Sequence, residues 1–156
     1  MYQNILVAFD GSSSSKLALK EAVSLAALTK GVVHPLYVLD KTPLFSYASH
    51  YDPLVLVEAL RKEGEALMDQ AGQACATAGV PCHPELVESN DPSDDVANVI
   101  LRHAQQIDTD LLVMGTHGRR GVERLVIGSV AERALRFSRC PVLLIREEGK
   151  PESARL

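Results

Sequence analysis

Four short apolar runs recur along the chain at helix-length intervals: Ile5-Leu-Val-Ala-Phe9, Val32-Val-His-Pro-Leu-Tyr-Val38, Leu111-Leu-Val-Met114 and Val142-Leu-Leu-Ile145. Runs of this length, without polar alternation, fit strands covered on both faces. Val80-Pro-Cys-His-Pro-Glu-Leu-Val87 reads as a weaker fifth strand. Pro35, Pro81 and Pro84 cannot donate to a ladder, which predicts that the second run and the weaker one are irregular or lie towards a sheet edge.

Between the runs the spacing becomes helical. Leu19, Ala22, Val23 and Ala26 share one face of a 3.6-residue repeat, as do Leu60, Leu67, Ala71, Ala74 and Ala78. Val96, Val99, Ile100, Ala104 and Ile107 form a third stripe, and Ala131, Ala134, Leu135 and Ser138 a shorter fourth. End signals agree: Ser12 to Ser15 cap the first helix, Gly31 ends it, Gly79 closes the second, and Asp91-Pro92 opens the third. Strands alternating with helices, each able to cover one sheet face, predict an α/β fold on a mostly parallel sheet. Residues 40 to 53 fit neither period and read as a long surface loop.

A length of 156 residues suits one domain, expected over residues 1–146, with 147–156 as a polar tail. Hydrophobic residues at 46% and charged ones at 23% argue against disorder. The net charge of −4 gives no general attraction to nucleic acid or to an anionic membrane, so any anion must be held by a local site. The N-terminus has no basic region and no apolar run long enough for a signal peptide or membrane span, which leads to the expectation of a cytoplasmic protein. Cys75, Cys82 and Cys140 are odd in number and lack Cys-x-x-Cys spacing, so they are read as packing residues. His34, His50, His83 and His103 share no metal-ligand spacing, and His103, on the third apolar stripe, reads as a hydrogen-bonded boundary residue.

The chemistry concentrates in Gly115-Thr-His-Gly118-Arg-Arg-Gly-Val-Glu-Arg-Leu-Val-Ile-Gly128-Ser129, directly after the run ending at Met114. A strand, a glycine-rich loop and a helix start form a natural anion site: glycine lets the backbone come close, and helix N-termini offer unpaired N–H groups. Neither the Walker pattern nor Gly-x-Gly-x-x-Gly is present, which disfavours a P-loop hydrolase or an ordinary dinucleotide site. On spacing alone the glycines also fit a chain that merely turns. Arg119, Arg120 and Arg124 supply local positive charge or a solvated loop surface.

The Gly-x2-Gly-x9-Gly-Ser spacing joins Ile5-Leu-Val-Ala-Phe-Asp10-Gly-Ser12, Asn90-Asp-Pro92, Met114-Gly-Thr-His-Gly118, Gly128-Ser-Val-Ala-Glu132 and Cys140-Pro-Val-Leu-Leu-Ile145. In that order they resemble the universal stress protein (UspA) family, in its ATP-binding form, over about residues 3 to 146. The resemblance implies an open parallel five-stranded sheet of order 3-2-1-4-5 with helices on both faces, Rossmann-like and similar to the adenine nucleotide alpha hydrolases. It implies that Ala8 and Phe9 line an adenine pocket, that Val38 offers its main-chain N–H and C=O to the base edge, and that Met114 lies beside the nucleoside. Asp10 would hold a ribose hydroxyl, although Asp there also serves as an Asx cap. Gly115, Gly118 and Gly128 would turn N–H groups to the phosphates, Ser129 would add a hydroxyl and, with Val130, the first turn of a helix. His117 and Arg119 would come within reach of the phosphates, with a solvent-exposed position as the alternative for each.

The implied cofactor is ATP, with ADP or AMP as alternatives, and magnesium would arrive with the nucleotide. The implied role is a nucleotide-dependent regulatory or stress-response protein read by an unknown partner protein. The alternative is a slow ATPase or a self-phosphorylating protein, but the loop has no lysine to support phosphoryl transfer. A phospho-receiver reading is disfavoured by Phe9-Asp10, Val87-Glu88 and Ile145-Arg146, where such domains carry an acidic pair, an aspartate and a lysine. In the implied order the last strand, Pro141–Ile145, is an edge, and a homodimer would cover it. Asn90 stands where the family often has glycine, and the turn there is expected to use a left-handed Asn.

Overall fold

The computed structural model describes residues 1–46, 52–117 and 127–147. Its elements are β1 (Asn4–Ala8), α1 (Ser13–Thr29), β2 (Val32–Leu39), α2 (Thr42–Ser46), α3 (Pro53–Thr77), β3 (Glu85–Glu88), α4 (Val96–Gln106), β4 (Leu111–Gly115), α5 (Ser129–Phe137) and β5 (Val142–Ile145). The five strands form one parallel sheet of order β3-β2-β1-β4-β5.

Strand alternation divides the core in two. Ile5, Val7, Phe9, Val33 and Tyr37 turn towards Leu19 and Ala22 of α1 and Met68 and Ala71 of α3. Leu6, Leu36, Leu112 and Met114 turn to the other face, against Ile100 and Ala104 of α4 and Ala131 and Ala134 of α5. The start of β1 is fixed by Asp110, whose two carboxylate oxygens accept from the N–H groups of Gln3 and Asn4 at 2.7 and 3.1 Å.

Several sequence expectations change. β2 is an interior strand despite Pro35. Val33 bridges Cys82 and Leu36 pairs with Glu85 in one unbroken register, so Pro35 stands opposite Pro84 where the ladder is interrupted. The edge and the irregularity both belong to β3. Residues 40 to 53 are not all loop: α2 occupies Thr42–Ser46, Leu44 is buried, and Asp52 caps α3 by accepting from Leu54 N–H at 3.0 Å.

The left-handed residue that ends α1 is Lys30, at φ 57°, rather than Gly31. Gly31 instead gives clearance, since a Cβ there would lie 2.6 Å from the Tyr2 carbonyl oxygen. Asp95, not Asp91-Pro92, caps α4, accepting from Asn98 N–H at 2.9 Å. Asn90 is not left-handed either; its N–H donates to Asp94 Oδ2 at 2.8 Å. The buried stripe of α3 runs through Gly64, Met68, Ala71 and Cys75, leaving Ala74 and Ala78 exposed. Among the described residues no helix is long and apolar enough to cross a membrane.

Candidate functional site

β1 leads through β2 to β3 on one side, while β4 and β5 lie on the other, so strand order reverses between the carboxyl ends of β1 and β4. In open parallel sheets ligands enter the crevice at that point. The β1 end continues into Phe9, Asp10, Gly11 and Ser12, and the β4 end into Thr116 and His117.

On the β1 side, Asp10 Oδ1 accepts from Ser12 N–H at 2.9 Å, an Asx turn, while the cap of α1 is Ser12, whose Oγ accepts from Ser15 N–H. Ladder bonding between β1 and β2 stops with Phe9 N–H on the Leu36 carbonyl at 2.9 Å, one residue pair short of Val38. Alternation points the Val38 N–H and C=O to that same side, beyond the end of β1. A peptide edge is thereby presented to the crevice.

Ala8, Val38 and Met114 share the α4/α5 face of the sheet, with Val130 of α5 packed against the same cluster. Phe9 does not join them. Its side chain is 3% exposed in the α1/α3 core, because the next residue along a strand points to the opposite face. The side chains that share the α4/α5 face at the strand ends are therefore aliphatic groups and a thioether, without an aromatic ring.

On the β4 side, Thr116 ties three elements together. Its N–H donates to the Ile145 carbonyl of β5 at 2.9 Å, and its carbonyl accepts from Gly128 N–H at 2.8 Å. The Gly128 amide is thus engaged within the protein, which corrects the expectation that it faces a phosphate. What Gly128 gives is room, since a Cβ would lie 3.2 Å from the Thr116 carbonyl oxygen. α5 begins immediately afterwards with no side-chain cap. Its first intrahelical bond is Glu132 N–H to Gly128 C=O, so the amides of Ser129, Val130 and Ala131 have no acceptor within the helix. Three donors and the positive end of the helix dipole stand at the carboxyl end of β4.

His117 is half-buried, with Nδ1 3.0 Å from Thr116 Oγ1. Its Nε2 is shielded from solvent and has no partner among the described residues. An imidazole nitrogen without a partner among the described residues and an uncapped helix start are a donor set that fits an anionic group. Gly118, Arg119, Arg120 and Arg124 lie outside the described residues.

Periodicity and motifs did not reveal the polar rim at the ends of β2 and β3. Ser89, fully buried, accepts from Lys41 N–H at 3.0 Å, and Glu88 pairs with Lys41 Nζ at 2.5 Å and with Arg61. The Lys41 ammonium, followed by Arg61, holds the Glu88 carboxyl below its usual range. Behind it, Arg102 grips both oxygens of Asp94 at 2.8 and 2.9 Å and holds that carboxyl low as well. These pairs join the rim loops of β2 and β3 to α3 and α4. Burial pushes the thiols of Cys75 and Cys82 up, the latter to about 12, so neither supplies a thiolate at neutral pH. Among the described residues no group of three His, Cys, Asp or Glu is arranged to hold a metal. A shallow depression of about 530 Å³, lined by Met68, Asp69, Gly72, Gln73 and Ala76 of α3 and by Pro84 before β3, lies away from this crevice.

The universal stress protein family model matches residues 1–146. A universal stress protein of Methanocaldococcus jannaschii is 33% identical over 150 residues, which are 96% of this chain and 85% of that one. A crystal structure from the same family in Burkholderia pseudomallei is 40% identical, with a TM-score of 0.75 over 92% of this chain and 96% of that one. The universal stress protein UspA of Lactobacillus plantarum is 27% identical, with a TM-score of 0.78 over 93% and 98% of the two chains. Two more distant structures share the fold: a universal stress protein in complex with cAMP, 22% identical with TM-score 0.65 over 93% and 97%, and one from Archaeoglobus fulgidus in complex with dAMP, 20% identical with TM-score 0.67 over 92% and 98%. Sheet order, the glycine-flanked loop and similarity along nearly the whole length agree, and the chain belongs to the universal stress protein family.

Proposed function

We propose that this chain binds ATP at the carboxyl ends of β1 and β4 and acts as a nucleotide-dependent regulatory protein, its occupancy being read by a partner. The observation that carries the reading is the Gly128 N–H on the Thr116 carbonyl, which fixes an uncapped helix start, with the amides of Ser129, Val130 and Ala131, beside the end of β4. The base would lie over Ala8 and Met114, with its edge on the Val38 main chain, and Asp10 would meet the ribose. The adenine nucleotides bound by two distant relatives, cAMP and dAMP, favour a purine nucleotide as guest. Magnesium, in this reading, comes with the triphosphate and keeps its waters.

The same reading includes a homodimer along β5, the outer strand beyond β4. Thr116 supplies the link between nucleotide and assembly, because the main chain of this one residue bonds both the β5 end, through its N–H, and the start of α5, through its C=O.

Calorimetric titration tests the binding. The expected outcome is one ATP per chain with a dissociation constant below about 1 mM, equivalent to about −4.1 kcal/mol, and weaker binding of GTP, whose base edge reverses the donors and acceptors. Ser129→Pro is the diagnostic variant: proline is tolerated in the first helical position but has neither the N–H nor the hydroxyl of Ser129, so ATP should weaken about tenfold while adenosine is unaffected. Absence of saturable ATP binding to the native chain would refute the reading. Phosphate release measured alongside separates binding from the slow-hydrolysis alternative.

A further inference from the structure

Four consecutive serines, Ser12 to Ser15, begin α1, and only two of them serve the helix itself. Ser12 Oγ accepts from Ser15 N–H, and Ser15 Oγ donates to the Ser12 carbonyl at 2.9 Å. Ser13 is exposed. Ser14 does something else: it is 5% exposed, and its Oγ donates to the His117 carbonyl oxygen at 2.5 Å, across 103 positions of sequence.

The close approach is built into the chain. A Cβ on Gly115 would overlap Ser14 Oγ and would lie 2.7 Å from Ser14 Cβ and 2.9 Å from the Ser14 carbonyl carbon. Only a glycine at the last residue of β4 lets α1 come this near. The main chain of the two residues after it is then held at three points: Ser14 Oγ on His117 C=O, Thr116 N–H on Ile145 C=O, and Gly128 N–H on Thr116 C=O. Removing the Ser14 hydroxyl would release only the first of these. The other two would still hold the sheet and the start of α5.

We infer that Ser14 is a positioning residue for the phosphate site: its hydroxyl fixes the His117 carbonyl against the α1 start, and with it the imidazole whose Nε2 has no partner among the described residues, so that His117 and the α5 amides face one phosphate. The inference rests on the ATP-binding reading above. It makes Ser14 specific to the phosphate end of the ligand, because its bond is to the loop and not to Ala8, Val38 or Met114.

The test compares ATP with adenosine on the native chain, Ser14→Ala and, as control, Ser13→Ala. Loss of one hydrogen bond to a carbonyl should weaken ATP by roughly three- to tenfold in Ser14→Ala. Adenosine affinity should stay the same, and Ser13→Ala should match the native chain for both ligands. Ser14→Cys keeps the volume but has only a weak S–H donor, and takes the place of the alanine variant if that one does not fold. Equal weakening of ATP and adenosine would show a general structural role and overturn the inference, as would unchanged ATP affinity. A native chain that binds no ATP sinks the functional reading and this inference together, whereas native binding with an indifferent Ser14 variant sinks this inference alone.

Discussion

His34 sits on β2 in register with His83, their ring centroids 5.5 Å apart, and both of its ring nitrogens are shielded without a hydrogen-bond partner among the described residues. Glu85 of β3 and His103 of α4 complete the charged surroundings, with His103 Nε2 3.7 Å from Glu85 Oε1. This corrects the reading of His103 as a hydrogen-bonded boundary residue, since its Nε2 is buried and, among the described residues, has no hydrogen bond beyond that long approach to Glu85. Burial first, then His83, lowers the His34 pKa below 6.5; Glu85 opposes this and His103 adds to it. Between the lowered folded value and the ordinary one, the unfolded chain binds a proton that the folded chain declines. Stability should therefore fall as pH drops through about 6.5 and level off below the folded value. Urea midpoints at pH 7.5 and 5.5 check this: the native chain should lose stability on acidification, and His34→Leu should lose less. An equal loss in both would assign the acid sensitivity to other groups.

Gly64 and Gly72 lie on the same helix, α3, and predict opposite outcomes for the same substitution. At Gly64 a Cβ would stand 2.5 Å from Tyr37 Cδ1 and 2.7 Å from Leu86 Cδ1, between helix and sheet. At Gly72 the nearest atom would be Pro84 Cγ at 3.5 Å, an ordinary contact. Alanine gains about 1 kcal/mol over glycine in a helix interior, while overpacking costs about 1–3 kcal/mol. Gly72→Ala should stabilise by about 0.5–1 kcal/mol and Gly64→Ala should destabilise by about 1 kcal/mol, read from paired denaturation curves. These glycines also mark how far the sequence was legible. Strand number and type followed from apolar run length, and the crevice followed from a glycine loop after one such run. The offset of the α3 stripe was hidden, because a glycine packed against Tyr37 counts as no hydrophobe in a periodicity. Phe9, placed beside the base by the family resemblance, has its side chain in the α1/α3 core, because successive residues of a strand point to opposite faces. Ser14 could not be told from its three serine neighbours, since its bond depends on where β4 ends in space.

At the scale of the whole molecule, β3 and β5 are the two edges of the sheet, and they differ in how they are managed. β3 carries Glu85 and Glu88 and is preceded by Pro81 and Pro84, features that discourage pairing with another chain. β5 reads Val-Leu-Leu-Ile with every residue partly exposed, and α5, which packs over it, leaves Leu135 and Phe137 about half exposed. An uncharged, apolar edge strand beside an apolar helix face suits a symmetric partner better than water. Leu112 N–H donates to Pro141 C=O and Thr116 N–H to Ile145 C=O, so by alternation the main-chain groups of Val142 and Leu144 point outward. Leu144→Pro therefore removes an outward N–H while leaving the bonds between β4 and β5 in place. Sedimentation velocity at micromolar concentration should give a dimer for the native chain and a monomer for Leu144→Pro. A native monomer would exclude the β5 pairing, and a variant that remained dimeric would move the interface elsewhere. If Thr116 transmits occupancy to this edge, ATP should shift the native equilibrium towards dimer, and the Ser129→Pro chain should need correspondingly more ATP for the same shift.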